Sequence, residues 1–353
     1  MGSNQTSNSS NRTSNETSSE VPVQTSNQTP NQRSNNNTQN PSAKAQPKVD
    51  DVFAFPHPAG DGMRRYMAPS LFQPHNARQA IRDAHAKKIP PLIGYYAGLS
   101  SIAITRFVAP MGFDMVWIDW EHTSCGVERM TTMVHEIMFM SGGRTIPFVR
   151  IPGNDHASIG YALDAGASLI IPQVETPSQA RHAIAASKFG ASQGGTRSVP
   201  PFRLIPGLTD LPADGLDSGR DVWKNWNDRA AVMIQIESLK GIENLDSILT
   251  EVPEIDIVWL GALDCRVSMG LSANLGMGEE KEWVEAVERF REVCKKHDKP
   301  MGGFCFVGGE NMVKMARDYS LLVHCADVLK LYEMFGALVE ARGVLMKAGI
   351  GAN

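Results

Sequence analysis

The feature that most constrains the fold is an eightfold alternation of short apolar segments with longer helix-like ones, between about residue 91 and residue 347. The short segments are mostly continuous apolar runs, which are typical of strands buried on both faces of a parallel sheet. They are Pro91–Leu99, Asp114–Trp120, Thr145–Arg150, Ser168–Val174, Val232–Glu237, Ile255–Leu260, Met301–Phe304 and Leu321–His324. Because a helix-like segment follows each of them, the pattern predicts parallel strands joined by helices.

Eight such units in roughly 280 residues predict an α/β fold, a closed (β/α)8 TIM barrel. An open, doubly wound sheet is the alternative architecture for the same alternation of elements. A dinucleotide-binding sheet of that kind would place a glycine-rich turn after its first strand. The residues found there are Gly98-Leu99-Ser100-Ser101, so the barrel is favoured.

The chain divides into three parts by composition. Residues 1–50 contain no aromatic residue and consist mainly of Asn, Ser, Thr and Gln, so they are predicted to form a disordered tail. Residues 51–74 are punctuated by Pro and Gly and are expected to form an arm that lies over the domain. The barrel, the predicted catalytic domain, would then span residues 75–353.

Composition disfavours several classes of protein. The 34 Lys+Arg and 38 Asp+Glu give a net charge of −4, so there is no basic excess to bind nucleic acid. No apolar run approaches the ~18 residues of a membrane span, and no signal-peptide pattern is present, so we expect no membrane partner and a cytoplasmic protein. The five cysteines form no CxxC pair, which disfavours structural zinc and predicts free thiols.

Charged side chains follow four of the predicted strands, at the end where barrel enzymes carry their active sites. Any one of them has an ordinary interpretation as a helix cap or a surface residue. Their convergence on one rim predicts a functional site. The six residues are Asp119, Glu121, His122, Arg150, Glu237 and Asp264.

Glu237 and Asp264 form a carboxylate pair that suits a hard divalent cation, with Mg²⁺ the first choice and Mn²⁺ or Co²⁺ as alternatives. A cation there would chelate a 2-oxo acid and stabilise an enolate. His122 is the natural proton shuttle, because imidazole titrates near neutral pH, and either Asp119 or Glu121 would orient its ring. Arg150 would place positive charge at a developing oxyanion.

Other chemistries have weaker support. A Schiff-base aldolase needs a desolvated lysine inside the barrel, whereas the candidates Lys240 and Lys330 fall in predicted helices. The chain has no GxSxG, Walker A or HExxH motif, so serine hydrolase, P-loop and zincin chemistry are not indicated.

Four stretches carry a family resemblance, and they lie in order between about His75 and Lys347. The stretches are Val116–His122 (VWIDWEH), Phe148–Pro152 (FVRIP), Gln235–Ser238 (QIES) and Gly261–Asp264 (GALD). In these motifs the chain resembles the HpcH/HpaI aldolase/citrate lyase family, whose members are metal-dependent enzymes of the phosphoenolpyruvate/pyruvate barrel superfamily. The resemblance implies a TIM barrel that acts on a small-molecule 2-oxo acid.

Site roles follow from the resemblance position by position. It implies Glu237 and Asp264 as metal ligands, His122 as the catalytic acid/base, and Arg150 as the group that polarises the substrate's keto oxygen. It also implies that the backbone of Gly261, Ala262 and Leu263 holds the substrate carboxylate. Gln235 belongs to the same motifs as a substrate-binding residue. Asp164 matches a family acid near the site, although its place before Gly166 equally suits a helix end.

Three departures from the family pattern are present, and they concern the substrate rather than the metal chemistry. Trp120 stands where a small residue is usual, and Ala262-Leu263 replaces a proline followed by a small residue. Arg266 follows the metal aspartate closely, and it would either select an acidic second substrate or pair with a surface acid.

The leading hypothesis is a metal-dependent carbon–carbon lyase of the aldolase type that forms a pyruvate enolate. The alternatives are an oxaloacetate decarboxylase that forms carbon–carbon bonds in secondary metabolism, and a catalytically silent barrel used as a binding scaffold.

The last helix is apolar enough to need a partner surface, and family members exchange such elements in dimers that build hexamers. We therefore expect a homo-oligomer. Its apolar residues include Leu329, Leu331, Phe335, Leu338 and Leu345.

Overall fold

The predicted barrel is confirmed: eight parallel strands close into a barrel in which each strand pairs with its neighbours in chain order. The structure, a computed structural model, describes residues 61–68, 73–200, 219–306 and 308–350. The predicted tail lies outside the described residues, as does most of the predicted arm.

The elements alternate as the sequence predicts. The strands are β1 (Leu92–Ala97), β2 (Met115–Asp119), β3 (Ile146–Arg150), β4 (Ser168–Ile171), β5 (Val232–Ile236), β6 (Ile257–Leu260), β7 (Met301–Phe304) and β8 (Leu321–Ala326). The described α-helices are α1 (Ala77–His85), α2 (Ile102–Val108), α3 (Val127–Met140), α4 (His156–Asp164), α5 (Pro177–Ser187), α6 (Val222–Asn227), α7 (Leu239–Glu251), α8 (Ala262–Ser268), α9 (Lys281–Lys296), α10 (Gly309–Asp318) and α11 (Asp327–Lys347).

Two apolar layers hold these elements together, because successive side chains of a strand face opposite sides of the sheet. The inner layer fills the barrel with large residues such as Trp117, Phe148 and Trp259, all fully buried. The outer layer lies between the strands and the helices and is dominated by Ile, Leu, Val and Ala. The barrel is therefore a packed core, and only the ends of its strands are available for a site.

Helix α1 closes the end of the barrel at which the strands begin. Its buried residues Ala77, Ala80, Ile81 and Ala84 share a core with the inward-facing residues of the strands. The side chain of Asn76 caps the helix by accepting the backbone N–H of Gln79 at 3.0 Å. This helix is not among the predicted elements, although its apolar residues recur at helical spacing.

The last helix, α11, is mostly exposed from Leu331 onward. Tyr332 is 71% exposed and Phe335 60% exposed, and Leu338 and Val339 are also exposed. Its apolar side chains therefore do not pack on their own barrel within the described residues. In the part of the chain that the structure describes, no helix is both long enough and apolar enough to cross a membrane.

Candidate active site

Three predicted site residues are placed at one end of the barrel by strand periodicity. Asp119 is the last residue of β2 and lies beside Arg150, the last residue of β3, in the parallel pairing. Glu237 directly follows β5, in phase with Gln235 and Met233, and Met233 belongs to the inner layer. All three side chains therefore face the barrel axis at the end where the strands finish.

Asp119 and Arg150 form a buried, two-point ion pair. Arg150 Nε donates to Asp119 Oδ1 at 2.9 Å, and Arg150 Nη2 donates to Asp119 Oδ2 at 2.7 Å. Burial alone would raise the pKa of Asp119, but hydrogen bonds and charge from Arg150 hold it below its usual range. The hydroxyl of Tyr96 joins the pair, since it donates to Asp119 Oδ2 at 2.5 Å and accepts from Arg150 Nη2 at 3.3 Å.

Glu121 and His122 follow β2 at the mouth of the barrel. The Nε2 atom of His122 lies 3.6 Å from Glu121 Oε2, and the histidine side chain is 64% exposed. Glu121 Oε2 also lies 3.3 Å from Arg150 Nε. Burial raises the pKa of Glu121, against the positive charge of Arg150, which lowers it. Glu121, rather than Asp119, is the carboxylate next to the His122 ring, because Asp119 is engaged by Arg150 and Tyr96.

Glu237 is a buried carboxylate, 6% exposed, whose hydrogen-bond donors are both neutral. The backbone N–H of Gln173 donates to Oε2 at 2.9 Å, and the amide of Gln235 donates to Oε1 at 3.0 Å. Burial raises the pKa of Glu237 to about 7, the Gln173 N–H opposes that rise, and the negative charge of Asp264 adds to it. Two carboxylates that repel each other in a partly dry site favour a bound cation.

Asp264 approaches Glu237 from β6. It is exposed and lies in the first turn of α8, a helix with no side-chain cap. At Gly261, which precedes that helix, a Cβ atom would come within 2.5 Å of the Glu237 side chain. Only glycine permits this close approach of the β6 end to the glutamate.

Aromatic rings form the floor beneath these charges. Arg150 lies over the Trp117 ring, 5.4 Å from its centroid. Trp117 contacts Trp259 edge to face at 4.9 Å between centroids, and Phe304 stacks on Trp117 at 5.8 Å. The floor excludes water from one side of Arg150 and strengthens its electrostatic interactions.

A family model described as HpcH/HpaI aldolase/citrate lyase matches residues 92–314. The chain belongs to this family. It is 28% identical over 211 residues to 5-keto-4-deoxy-D-glucarate aldolase of Enterobacter sp. (strain 638), an alignment that covers 60% of this chain and 76% of the relative. The structure of macrophomate synthase matches with a TM-score of 0.72 and 28% identity, covering 86% of this chain and 99% of that one.

A second solved structure, an HpcH/HpaI aldolase/citrate lyase family protein from Burkholderia cenocepacia J2315, gives a TM-score of 0.61 at 27% identity, over 76% of this chain and 99% of that one. The resemblance read from the sequence motifs is thus confirmed. Membership of the HpcH/HpaI family supports an enzyme of the aldolase and lyase class.

Among the predicted residues, the structure brings together Asp119, Glu121, His122, Arg150, Gln235, Glu237, Gly261 and Asp264. Asp164 is not among them. Asp164 is the last residue of α4, the helix that leads to the start of β4. It forms a 2.7 Å ion pair with Arg197. Burial lowers the pKa of Arg197 to about 10, against Asp164, which raises it. Asp164 is therefore placed at the opposite end of the barrel as a structural partner of Arg197.

The departures from the HpcH/HpaI pattern also have defined places. Trp120 packs against the outer layer between strands and helices, because it is out of phase with Asp119. Arg266 is buried and donates to both carboxylate oxygens of Glu280, at 2.8 and 2.7 Å. It is therefore an internal ion-pair residue rather than a cation facing the site. The lysines considered for Schiff-base chemistry, Lys240 and Lys330, are both exposed and paired with glutamates.

The donor set fits a cation that keeps water and substrate oxygens as ligands. No group of three or more His, Cys, Asp or Glu gathers around one point in the described part of the chain. The pair Glu237 and Asp264 thus supplies two carboxylates, as is usual for Mg²⁺. Gln235 Oε1 is buried beside Glu237 and accepts no hydrogen bond from the described residues. This orphaned acceptor is a further oxygen that a hydrated cation would satisfy.

Sequence reasoning missed Tyr96, which contacts both Asp119 and Arg150. It lies on β1 in register with Trp117 of β2, and its side chain faces the barrel interior. A polar aromatic residue near the carboxyl end of the first strand was the available signal. Because two tyrosines are adjacent there, the sequence alone did not show which one faces inward.

Proposed function

We propose that this protein is a metal-dependent carbon–carbon lyase that acts on 2-oxo acids through an enolate. The observation that carries the proposal is the buried carboxylate Glu237 facing Asp264, with Arg150 on the same rim. An enolate is an anion, so catalysis requires positive charge at the oxygen on which it develops. Arg150 supplies part of that charge, and a divalent cation held by Glu237 and Asp264 would supply the rest.

Glu237 and Asp264 would hold the divalent cation, Mg²⁺ first and Mn²⁺ or Co²⁺ as alternatives. When bound, the cation supplies Lewis-acid stabilisation of the negative charge that develops on a 2-oxo acid. The uncapped backbone N–H groups at the start of α8, at Ala262 and Leu263, are suited to bind the substrate carboxylate. Gly261 keeps this helix start close to Glu237.

Arg150 and His122 have the two remaining roles, which are binding of the keto oxygen and proton transfer. Arg150 donates a hydrogen bond to the substrate's keto oxygen, and the aromatic floor beneath the guanidinium strengthens that interaction. His122 is accessible at the mouth of the barrel and transfers the proton as the bond breaks or forms. Glu121 lies beside its ring and orients it.

The same residues serve either retro-aldol cleavage or decarboxylation of an oxaloacetate-like substrate, because both reactions produce a pyruvate enolate. One relative is named as an aldolase and one structural neighbour as macrophomate synthase. The second name favours keeping the bond-forming alternative, in which the enolate is trapped by an unsaturated acceptor. Aldol cleavage remains our first choice, since several relatives carry the name of an aldolase.

The test is a pyruvate-release assay that compares oxaloacetate with 4-hydroxy-2-oxo acids, with and without EDTA. Metal-dependent release from the hydroxy acids supports the aldolase, whereas release from oxaloacetate alone supports the decarboxylase. If neither substrate reacts with Mg²⁺, Mn²⁺ or Co²⁺, the proposal is wrong. Calorimetric titration with Mn²⁺ addresses the scaffold alternative, which predicts no binding or binding unchanged in Glu237→Ala.

We further propose that the protein acts as a homo-oligomer, either a dimer or a dimer-based hexamer. The support is α11, whose apolar side chains are exposed to solvent from Leu331 onward, over about five turns, in the isolated chain. Exposed apolar patches of this size are rare on monomers and indicate a protein partner. A second copy of the chain supplies an identical helix that can be covered reciprocally.

A reducing compartment such as the cytoplasm is proposed from the cysteines. The five cysteines form no disulfide with one another, and two of them, Cys125 and Cys325, are partly accessible. Accessible thiols persist unpaired where glutathione and thioredoxin keep them reduced.

A further inference from the structure

Strand β1 presents two adjacent tyrosines to opposite sides of the sheet. Tyr95 faces the outer layer, where its ring lies 5.4 Å from Phe113. Tyr96 faces the inside of the barrel, beneath the mouth of the site. The two residues are both tyrosines on the same strand, but their side chains have different surroundings. Tyr95 is therefore a natural control for Tyr96.

The Tyr96 hydroxyl closes a three-membered hydrogen-bond network. It donates to Asp119 Oδ2 at 2.5 Å and accepts from Arg150 Nη2 at 3.3 Å, while Arg150 Nη2 donates to the same Asp119 oxygen at 2.7 Å. Burial raises the pKa of Tyr96 well above its usual range, and the charge of Asp119 raises it further. The hydroxyl therefore stays protonated and serves as a fixed donor and acceptor.

The ring that carries this hydroxyl is held on several sides. Trp117 contacts it edge to face at 5.7 Å and Phe304 at 5.9 Å between centroids. On another side lies Gly98, where a Cβ atom would come within 2.7 Å of the Tyr96 ring. The position of the hydroxyl is thus set by packing and does not depend on a flexible side chain.

These contacts leave one part of the Arg150 guanidinium free. Its Nε and Nη2 atoms donate to Asp119, and Nη2 also donates to Tyr96. The remaining nitrogen, Nη1, donates to none of the residues that the structure describes. A guanidinium held at two of its three nitrogens can present the third in a single orientation.

We propose that Tyr96 is a positioning residue, which fixes the Arg150 guanidinium so that Nη1 is presented to the oxygen of the substrate where negative charge develops. This inference rests on the proposed function, because it assigns a task to Arg150 in that reaction. Without the Tyr96 hydroxyl, Arg150 keeps its two bonds to Asp119 but loses a further contact at Nη2, so Nη1 is held less firmly in one orientation. Removing the hydroxyl should therefore weaken stabilisation of the transition state more than it weakens substrate binding.

The first test measures kcat and KM with the 2-oxo acid that the wild type turns over. Tyr96→Phe should lower kcat about 10- to 100-fold, the range expected when a reacting group is misplaced by a fraction of an ångström to 1 Å, with KM changed less than about threefold. Tyr95→Phe, which removes a hydroxyl from the other face of the same strand, should leave both constants within about twofold of wild type.

A double-mutant cycle then asks whether Tyr96 acts through Arg150. In an Arg150→Lys background, Tyr96→Phe should change kcat less than about twofold, because the group it positions is gone. Equal effects of Tyr96→Phe in the two backgrounds would overturn the proposal. Gly98→Ala is the second variant: it displaces the ring without removing the hydroxyl and should reproduce the loss of kcat.

A readout independent of turnover separates this inference from the proposed function. In the ¹⁵N spectrum of arginine-labelled protein, the Arg150 Nε–H resonance is assigned by its disappearance in Arg150→Lys. Tyr96→Phe should speed its exchange with solvent and the rotation of the guanidinium, whereas Tyr95→Phe should not. If the wild type turns over no 2-oxo acid, the proposed function fails, and this spectrum still tests the positioning. An unchanged resonance in Tyr96→Phe overturns the inference.

Discussion

Asp119 holds the guanidinium of Arg150 through two hydrogen bonds, of 2.9 and 2.7 Å, at the ends of neighbouring strands. The pair is buried over an aromatic floor, so each member depends on the other for compensation of its charge. The arrangement fixes the arginine as a donor in the site and removes Asp119 from direct contact with the substrate. The importance of this ion pair can be measured against that of the Asp164–Arg197 ion pair at the other end of the barrel.

Asp119→Asn should lower kcat about 100-fold, because an amide offers Arg150 one acceptor oxygen instead of two and no longer compensates its charge. The matched control is Asp164→Asn, which breaks the ion pair with the buried Arg197 at the other end of the barrel. That control should lower the free energy of unfolding and leave kcat of the folded enzyme unchanged. Comparable losses of kcat in the two variants would place Asp164 in the catalytic machinery.

Metal affinity should rise with pH. The pKa of Glu237 is about 7 in the metal-free protein, and only the ionised carboxylate binds a cation. The ionised fraction therefore increases about tenfold between pH 6 and pH 8, and the association constant for Mn²⁺ should follow it. Calorimetric titration at pH 6, 7 and 8 measures this, with Glu237→Gln expected to abolish binding. A pH-independent affinity would contradict the assignment of Glu237 as a ligand.

Gly261→Ala should weaken Mn²⁺ binding although it removes no ligand. The new methyl group would come within 2.5 Å of the Glu237 side chain and displace it. Gly160→Ala is the control, because a Cβ at that position in α4 meets no atom within 4 Å. It should leave metal binding unchanged and stabilise the helix by roughly 0.5–1 kcal/mol. Equal metal affinities in the two variants would show that the close approach at Gly261 is unimportant.

The stability of the barrel should fall as the pH drops below about 6.5. Burial lowers the pKa of His75 to about 4, although its hydrogen bond to the carbonyl of Gly143 opposes the shift. The unfolded chain thus binds a proton between pH 6.5 and 4 that the folded chain does not, which costs about 3 kcal/mol of stability at pH 4. Above pH 6.5 this contribution is constant. Urea unfolding across this range should show a shallower pH dependence for His75→Gln than for wild type.

Phe335→Glu on α11 should shift the protein towards smaller assemblies, because it places a charge in the exposed apolar face. Glu340→Gln on the same helix is the control and should leave the assembly unchanged. Size-exclusion chromatography with light scattering measures the mass of both variants. A wild type that is monomeric at micromolar concentration would contradict the proposed oligomer.

Part of the candidate site could be read from the sequence. The strand ends at Asp119, Arg150 and Glu237 were predictable, because a barrel brings the carboxyl ends of all its strands to one rim. Which side chains face inward follows from a period of two, as Trp120 shows by packing outward beside Asp119. The catalytic and metal-binding roles of these residues remain predictions that the experiments above test.

Other features depended on contacts between segments far apart in the chain. The sequence offers Asp164 and Arg266 as possible site residues, but each forms an ion pair away from the site, with Arg197 and Glu280 respectively. The sequence does not show which acid meets which arginine, because that depends on how loops fold over the ends of the barrel. The role of Tyr96 could not be predicted either, because its contacts with Asp119 and Arg150 also join segments far apart in the chain.

The sequence by itself determined the eight strands, their closure into a barrel and the family, because apolar periodicity and motif residues are local properties of the chain. Only the tertiary structure decided which charges are compensated. Asp119 is engaged by Arg150 and Tyr96, whereas Glu237 has only neutral donors, and burial together with the negative charge of Asp264 raises its pKa. Burial and distance produce that difference, and both exist only once the strands have been brought together.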